Sequence, residues 1–145
     1  MSTKKIIQRV VVGGVLINSD KKALILQRHS NETVYPNMWE LPSGKREYLE
    51  PTLTAVVREF KEEAGVTVKI IAPISVFDYI IEKTDETRDS TRINFLVELV
   101  NKSDEVSLSE EHQKYDWVGV ESLENFNLTD STKQVLREAF AMIER

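Results

Sequence analysis

The chain has 145 residues, 41% hydrophobic and 30% charged, a composition that fits one globular domain (residues 1–145) able to bury a core. With 24 acidic against 19 basic residues the net charge is -5, which gives no general pull toward nucleic acid or an anionic membrane. There is no cysteine and there are two histidines, so disulfides, thiol nucleophiles and thiolate metal sites are excluded, and any metal must be held by oxygen or imidazole.

No run of about 18 apolar residues is present, so no spanning helix is expected. The basic start, Met1 to Gln8, is followed by Arg9, which interrupts the apolar stretch a signal peptide needs, and the expected location is cytoplasmic. Val10 to Ile17 is an almost unbroken β-branched and aliphatic run, as in a central strand buried on both faces. Asn18 to Lys22 is a turn cluster, and Ala23 to Gln27 reads as a second strand making a hairpin with the first. Arg28 to Asn37 is loop, and Trp39 to Gly44 is a short extended piece ended by Pro42 and Gly44.

A helix follows. Pro51 suits the first helical position, Leu53, Val56, Val57, Phe60 and Ala64 recur at helical spacing, and Gly65 is placed for a left-handed cap. Val66 to Ala72 and Ile74 to Ile81 read as two strands split by Pro73, and Glu82 to Ser90 as a charged hairpin tip. Ile93, Phe95, Val97 and Leu99 alternate with polar residues, Arg92, Asn94 and Glu98 among them, which predicts a half-buried strand. Asn101 to Gln113 reads as loop, Tyr115 to Val120 as a last strand, and a C-terminal helix starts near Asp130 or Ser131. Strands and helices are mixed without strict alternation and no internal repeat appears. The expected class is therefore α+β, a mixed sheet with helices on its faces.

The helix carries the chemistry. At 100° per residue, Glu62 and Glu63 lie about 60° and 40° to either side of Glu59, so three carboxylates share one face beside the apolar one. Glu50 can reach the same region from just before the helix. A solvated acidic face is the simpler reading of such a cluster. Against it, Glu59 and Glu63 are a repulsive i, i+4 pair, and Glu62 and Glu63 occupy the last turn, where the helix dipole favours cations. A bound divalent cation cancels both penalties. Clustered carboxylates select Mg²⁺ or Mn²⁺ with a phosphate-bearing substrate, and hence phosphoryl or nucleotidyl transfer to water.

Gly44, five residues, Glu50, seven residues and then Arg58-Glu59-Phe60-Lys61-Glu62-Glu63-Ala64-Gly65-Val66 resembles the Nudix box, G-x5-E-x7-R-E-U-x-E-E-x-G-U with U aliphatic. All seven charged and glycine positions match, a coincidence of roughly one in 10⁸ per start if each has a chance of about 7%. Phe60 departs from the usual aliphatic residue, and Ser43 stands where relatives often have a first glycine. Trp39-Glu40-Leu41-Pro42 upstream and Glu110-Glu111-His112 with Trp117-Val118 downstream extend the likeness.

The resemblance implies the Nudix fold, an α/β/α sandwich around a mixed sheet, and Mg²⁺- or Mn²⁺-dependent hydrolysis of a nucleoside diphosphate linked to another group. It implies Glu62 and Glu63 as main metal ligands and Glu59 as a further ligand or the base. The Gly44 carbonyl would face a metal, and Glu50 would be a peripheral ligand or structural partner. Arg58 would orient the carboxylates, and Glu111 is the rival base. The expected substrate is a nucleoside triphosphate, canonical or oxidised, cleaved to the monophosphate and pyrophosphate. An ADP-sugar such as ADP-ribose or a dinucleoside polyphosphate is the alternative, and a non-catalytic nucleotide-binding regulator is the rival of another class. Analogy with relatives also suggests a homodimer.

Outside the box, Arg28 is a candidate phosphate contact and Tyr79 a loose candidate for substrate binding. Tyr35, Phe77 and Tyr79 can stack on a base, although packing explains each more simply. His29 and His112 read as solvated, Trp39 and Trp117 as packing residues, and Gly13 and Gly14 as a bulge or close backbone approach.

Overall fold

The computed structural model describes residues 3–144, so Met1, Ser2 and Arg145 lie outside the described residues, and with them the first two positions of the basic start. A four-stranded mixed sheet has the order β4-β1-β6-β5, from β1 (Lys5–Leu16), β4 (Ser43–Lys45), β5 (Val68–Glu82) and β6 (Glu86–Leu99). β1 runs parallel to β6 from Lys5 beside Glu86 to Leu16 beside Val97, and the other pairs are antiparallel. A second, antiparallel sheet has β2 (Ala23–Arg28) between β3 (Trp39–Glu40) and β7 (His112–Val118). The helices are α1 (Thr52–Ala64) and α2 (Asp130–Ile143).

The apolar run of β1 has the central, doubly covered place its composition requires. Val12 and Leu16, with Leu24, Leu26, Phe95 and Val97, pack against Val56, Phe60 and Ala64 of α1. Val15, with Ala23, Ile25, Leu96 and Val118, packs against Val135, Leu136, Ala139 and Phe140 of α2. The α+β class and the helix, sheet, helix layering are those expected, and each large core side chain contributes about 1.5–3 kcal/mol. Phe60 is fully buried where a smaller aliphatic residue was the expectation. Gly14 makes room for it, since a Cβ there would stand 3.0 Å from the Phe60 ring.

Several boundaries move. The first two strands share only the bridge between Ile17 and Ala23 before diverging into separate sheets, so they are not a continuous hairpin. Pro73 does not split the strand after the helix. β5 runs unbroken through it, absorbing the proline with register shifts on both sides, as an edge strand can because one side needs no donor. The charged tip contracts because β6 already begins at Glu86, and pairing with β1 and β5 on both sides holds its polar residues in the ladder. Pro51 is the N-cap residue, extended at ψ 138°, rather than the first helical one. Gly65 caps α1 at φ 70°, donating its N–H to the Lys61 carbonyl, and Thr129 caps α2 by accepting from the Thr132 N–H. A 3-10 turn over Val120–Asn125, with Leu123 in the core, has no counterpart in the sequence reading.

Candidate active site

The site forms where α1 faces β4 and the start of β7. Glu59 and Glu63 lie on the sheet-facing side of α1 and are 8% and 6% exposed, whereas Glu62 projects outward. The three carboxylates are therefore not equivalent: two are buried against the sheet and one is exposed.

Arg58 organises them. Its Nε and Nη2 donate to Glu50 Oε2 and Oε1 at 2.7 and 2.9 Å, and its Nη1 donates to Glu59 Oε1 at 2.9 Å and Glu62 Oε2 at 3.2 Å. Nη2 also donates to the Lys45 carbonyl at 3.1 Å, which ties the helix to the end of β4. The paired guanidinium, with the Glu47 N–H, holds the Glu50 carboxyl down at about 2. Glu50 is thus committed to Arg58 in this arrangement.

Burial acts the other way on the inner pair. It raises Glu59, against the opposing Arg58 charge, and pushes Glu63 up to about 9 even though the Ser43 N–H donates to Glu63 Oε1 at 2.7 Å. Glu111, exposed and just before β7, adds to the rise at Glu63. A protein that buries two carboxylates against a third has built a place where positive charge is missing.

Gly44 is required here by space. A Cβ at this position would collide with the Glu59 carboxylate, so only glycine lets β4 and α1 approach this closely. Ser43, beside it, is accommodated: its side chain faces away and accepts from Arg92 Nη1 at 3.3 Å.

His112 is not solvated. It is 4% exposed and its Nε2–H donates to Glu40 Oε2 at 2.7 Å, across β2 from β7 to β3. Its Nδ1 is a buried nitrogen without a hydrogen-bond partner. Ligand atoms of Glu63, Glu111 and His112 lie within 4.8 Å of one another, although the first comes from α1 and the others lie at the start of β7, far along the chain. The expected pattern failed for His112 because its strand starts earlier than the apolar run that signals it. His29 is half-buried and Tyr35 is exposed. Arg28 is at the other side of Glu40, with Nη1 3.6 Å from that carboxylate and Nε donating to the Val34 carbonyl at 3.0 Å. Tyr79 lies on β5, its ring 6.1 Å from that of Phe77.

Of Arg92 and Asn94, which alternation placed on the polar strand face, the first is half-buried and the second enclosed. Asn94 is fully buried and accepts from Arg92 Nε at 2.8 Å. This was not legible because their partners come from other strands: Ser43 of β4 accepts from Arg92, and Ser75 of β5 accepts from Asn94. Trp39 packs edge-on to Phe126 at 5.2 Å, as expected of a packing residue.

A family model for the NUDIX domain matches residues 7–139. The chain belongs to the Nudix family. The nucleoside triphosphatase NudI of Escherichia coli O139:H28 is 32% identical over 127 residues, covering 84% of this chain and 90% of that protein. A MutT NUDIX hydrolase from Burkholderia pseudomallei superposes with a TM-score of 0.74 at 28% identity, covering 91% of this chain and 98% of its own. The MutT protein of Methanosarcina mazei Go1 gives the same TM-score at 24% identity over 99% of both chains, a likeness of fold.

This Nudix hydrolase has the donor set its family's divalent ions require. Buried carboxylates, the glycine that admits Glu59 and the unpartnered imidazole nitrogen together fit a hard or borderline cation. No described helix is long and apolar enough to cross a membrane.

Proposed function

We propose that this Nudix hydrolase is a Mg²⁺- or Mn²⁺-dependent pyrophosphohydrolase of nucleoside triphosphates, releasing the nucleoside monophosphate and pyrophosphate. The observation that carries the reading is the meeting of Glu63 on α1 with Glu111 before β7. Two segments far apart in sequence deliver carboxylates to one point that burial alone makes unfavourable. The likeness to NudI, named a nucleoside triphosphatase, supports the choice of substrate.

Glu59, Glu62 and Glu63 would hold the metal with the Gly44 carbonyl, and Glu50 would serve as the partner that fixes Arg58. When bound, the cation neutralises phosphate oxygens and lowers the pKa of water. Glu111 is exposed and free of Arg58, which makes it the better general base, whereas Glu59 is already engaged by the guanidinium. Water oxygen attacks the α-phosphorus, Glu111 takes its proton, and the bond to the bridging oxygen breaks as pyrophosphate leaves. Arg28 and Tyr79 would line the approach of the phosphates and of the nucleoside.

The test is pyrophosphate release from canonical and oxidised nucleoside triphosphates, with ADP-ribose and diadenosine polyphosphates as competitors, in Mg²⁺, Mn²⁺ or EDTA. Metal-dependent release of pyrophosphate from triphosphates above the others is the expected result. Preference for ADP-ribose or a dinucleoside polyphosphate would overturn the substrate assignment.

A further inference from the structure

The face of the large sheet next to the metal ligands holds a cation that the proposed chemistry has not used. Arg92 extends from β6 into the space beneath Ser43 and Gly13, and a Cβ on Gly13 would stand 2.6 Å from its Nη2. Two neutral groups fix its fork: Asn94 Oδ1 accepts from Nε at 2.8 Å and Ser43 Oγ accepts from Nη1 at 3.3 Å. Asn94 is itself steadied by Ser75, whose Oγ accepts from its Nδ2 at 3.5 Å. Among the described residues no carboxylate lies within ion-pair distance of Arg92, although Glu40 and Glu63 are near enough for their charge to be felt. Burial lowers its basicity, so the guanidinium is held charged at a cost.

Its position says what the charge is for. On one side is Ser43, whose N–H binds Glu63 of the metal cluster. On the other, the antiparallel register sets Phe77 directly across from Arg92, and Tyr79 stands two residues along the same face. A nucleotide with its anhydride at the carboxylates and its base on these rings has its α-phosphate between them. A half-buried fork fixed by two neutral partners is suited to an anionic oxygen pair at that place.

We propose that Arg92 is a substrate-contact residue that binds the α-phosphate of the nucleotide. The proposal rests on the reading of the site as a nucleotide hydrolase, and its test is arranged so that the two can fail separately. Binding of nucleoside monophosphates and of the matching nucleosides is measured by calorimetry in EDTA for wild type, Arg92→Met and Arg92→Lys, beside thermal unfolding of each.

Wild type should bind the monophosphate more tightly than the nucleoside. Arg92→Met should reduce that preference by about 10- to 100-fold for every base alike, and Arg92→Lys should recover only part of it. The Met variant deprives the buried Asn94 Oδ1 of its donor and should unfold somewhat earlier than wild type, while unchanged nucleoside affinity shows that its site is intact. Equal preference in wild type and both variants overturns the assignment, and so does a loss confined to one base, which would make Arg92 a reader of the base. A wild type that hydrolyses nothing yet keeps the Arg92-dependent preference overturns the hydrolase reading alone.

Discussion

Arg58 and Glu50 are joined by two parallel hydrogen bonds, 2.7 and 2.9 Å long, that tie the first turns of α1 to the loop before it. The pair lowers Glu50 from 4.5 to about 2, so the folded state binds a proton less readily than the unfolded chain. The sign follows: this contribution is fully present above pH 4.5 and is lost as pH falls toward 2. Glu50→Gln should be less stable than wild type at pH 7, and the gap should close between these limits. Denaturant titrations of both proteins across that range measure it, and a pH-independent gap would mean that the pair does not set the shift.

Glu63 has the opposite sign. Its carboxyl is raised from 4.5 to about 9, so the metal-free fold favours its protonated form and loses stability as pH rises between those values. Glu63→Gln keeps an oxygen for the Ser43 N–H and removes the proton uptake that folding of wild type requires above pH 4.5. At pH 8 without metal it should be more stable than wild type by about 1–3 kcal/mol. Mg²⁺ should reverse the order, stabilising wild type and not the variant. Thermal unfolding with EDTA and with Mg²⁺ provides both comparisons, and equal stabilisation of the two proteins would remove Glu63 from the metal site.

Gly44→Ala tests the close approach of β4 to α1. The new methyl must displace the Glu59 carboxylate, and with it the Arg58 contact that orients it. Metal affinity and turnover should each fall roughly 100-fold, as for lost orientation of a ligand, while the distant α2 core leaves the fold in place. Mn²⁺ titration followed by electron paramagnetic resonance reads the affinity directly. Unchanged Mn²⁺ binding would show that Glu59 is dispensable as a ligand.

Much of the architecture was legible because it depends on local signals. Helix α1 has its apolar spacing, Gly65 cap and box carboxylates within one short window, and the apolar run of β1 announces a central strand. What was misread depends on neighbours. Pro73 breaks a strand only if its missing N–H is needed, and on the edge strand β5 it is not. Arg92 and Asn94 obey the alternation of a half-exposed strand, but Ser43 of β4 and Ser75 of β5 engage them from other parts of the sheet. Glu62 shares the helical face given by the spacing, yet that face is wider than the contact with the sheet, and only Glu59 and Glu63 are buried by it.

His112 is the clearest case of a residue whose role arises only in three dimensions. Its Nε2–H donates to Glu40 Oε2 at 2.7 Å and so links β7 to β3 across β2, while Arg28 approaches the same carboxylate at 3.6 Å. His112→Ala leaves a cavity and deprives a partly buried carboxylate of its donor, and should cost about 2–4 kcal/mol of stability. Glu40→Gln retains an acceptor and should cost less. If the two side chains act through each other, the double variant should be less destabilised than the sum by about 1 kcal/mol or more. Additive losses would show that His112 is held by packing alone, and that Glu40 is positioned by Arg28.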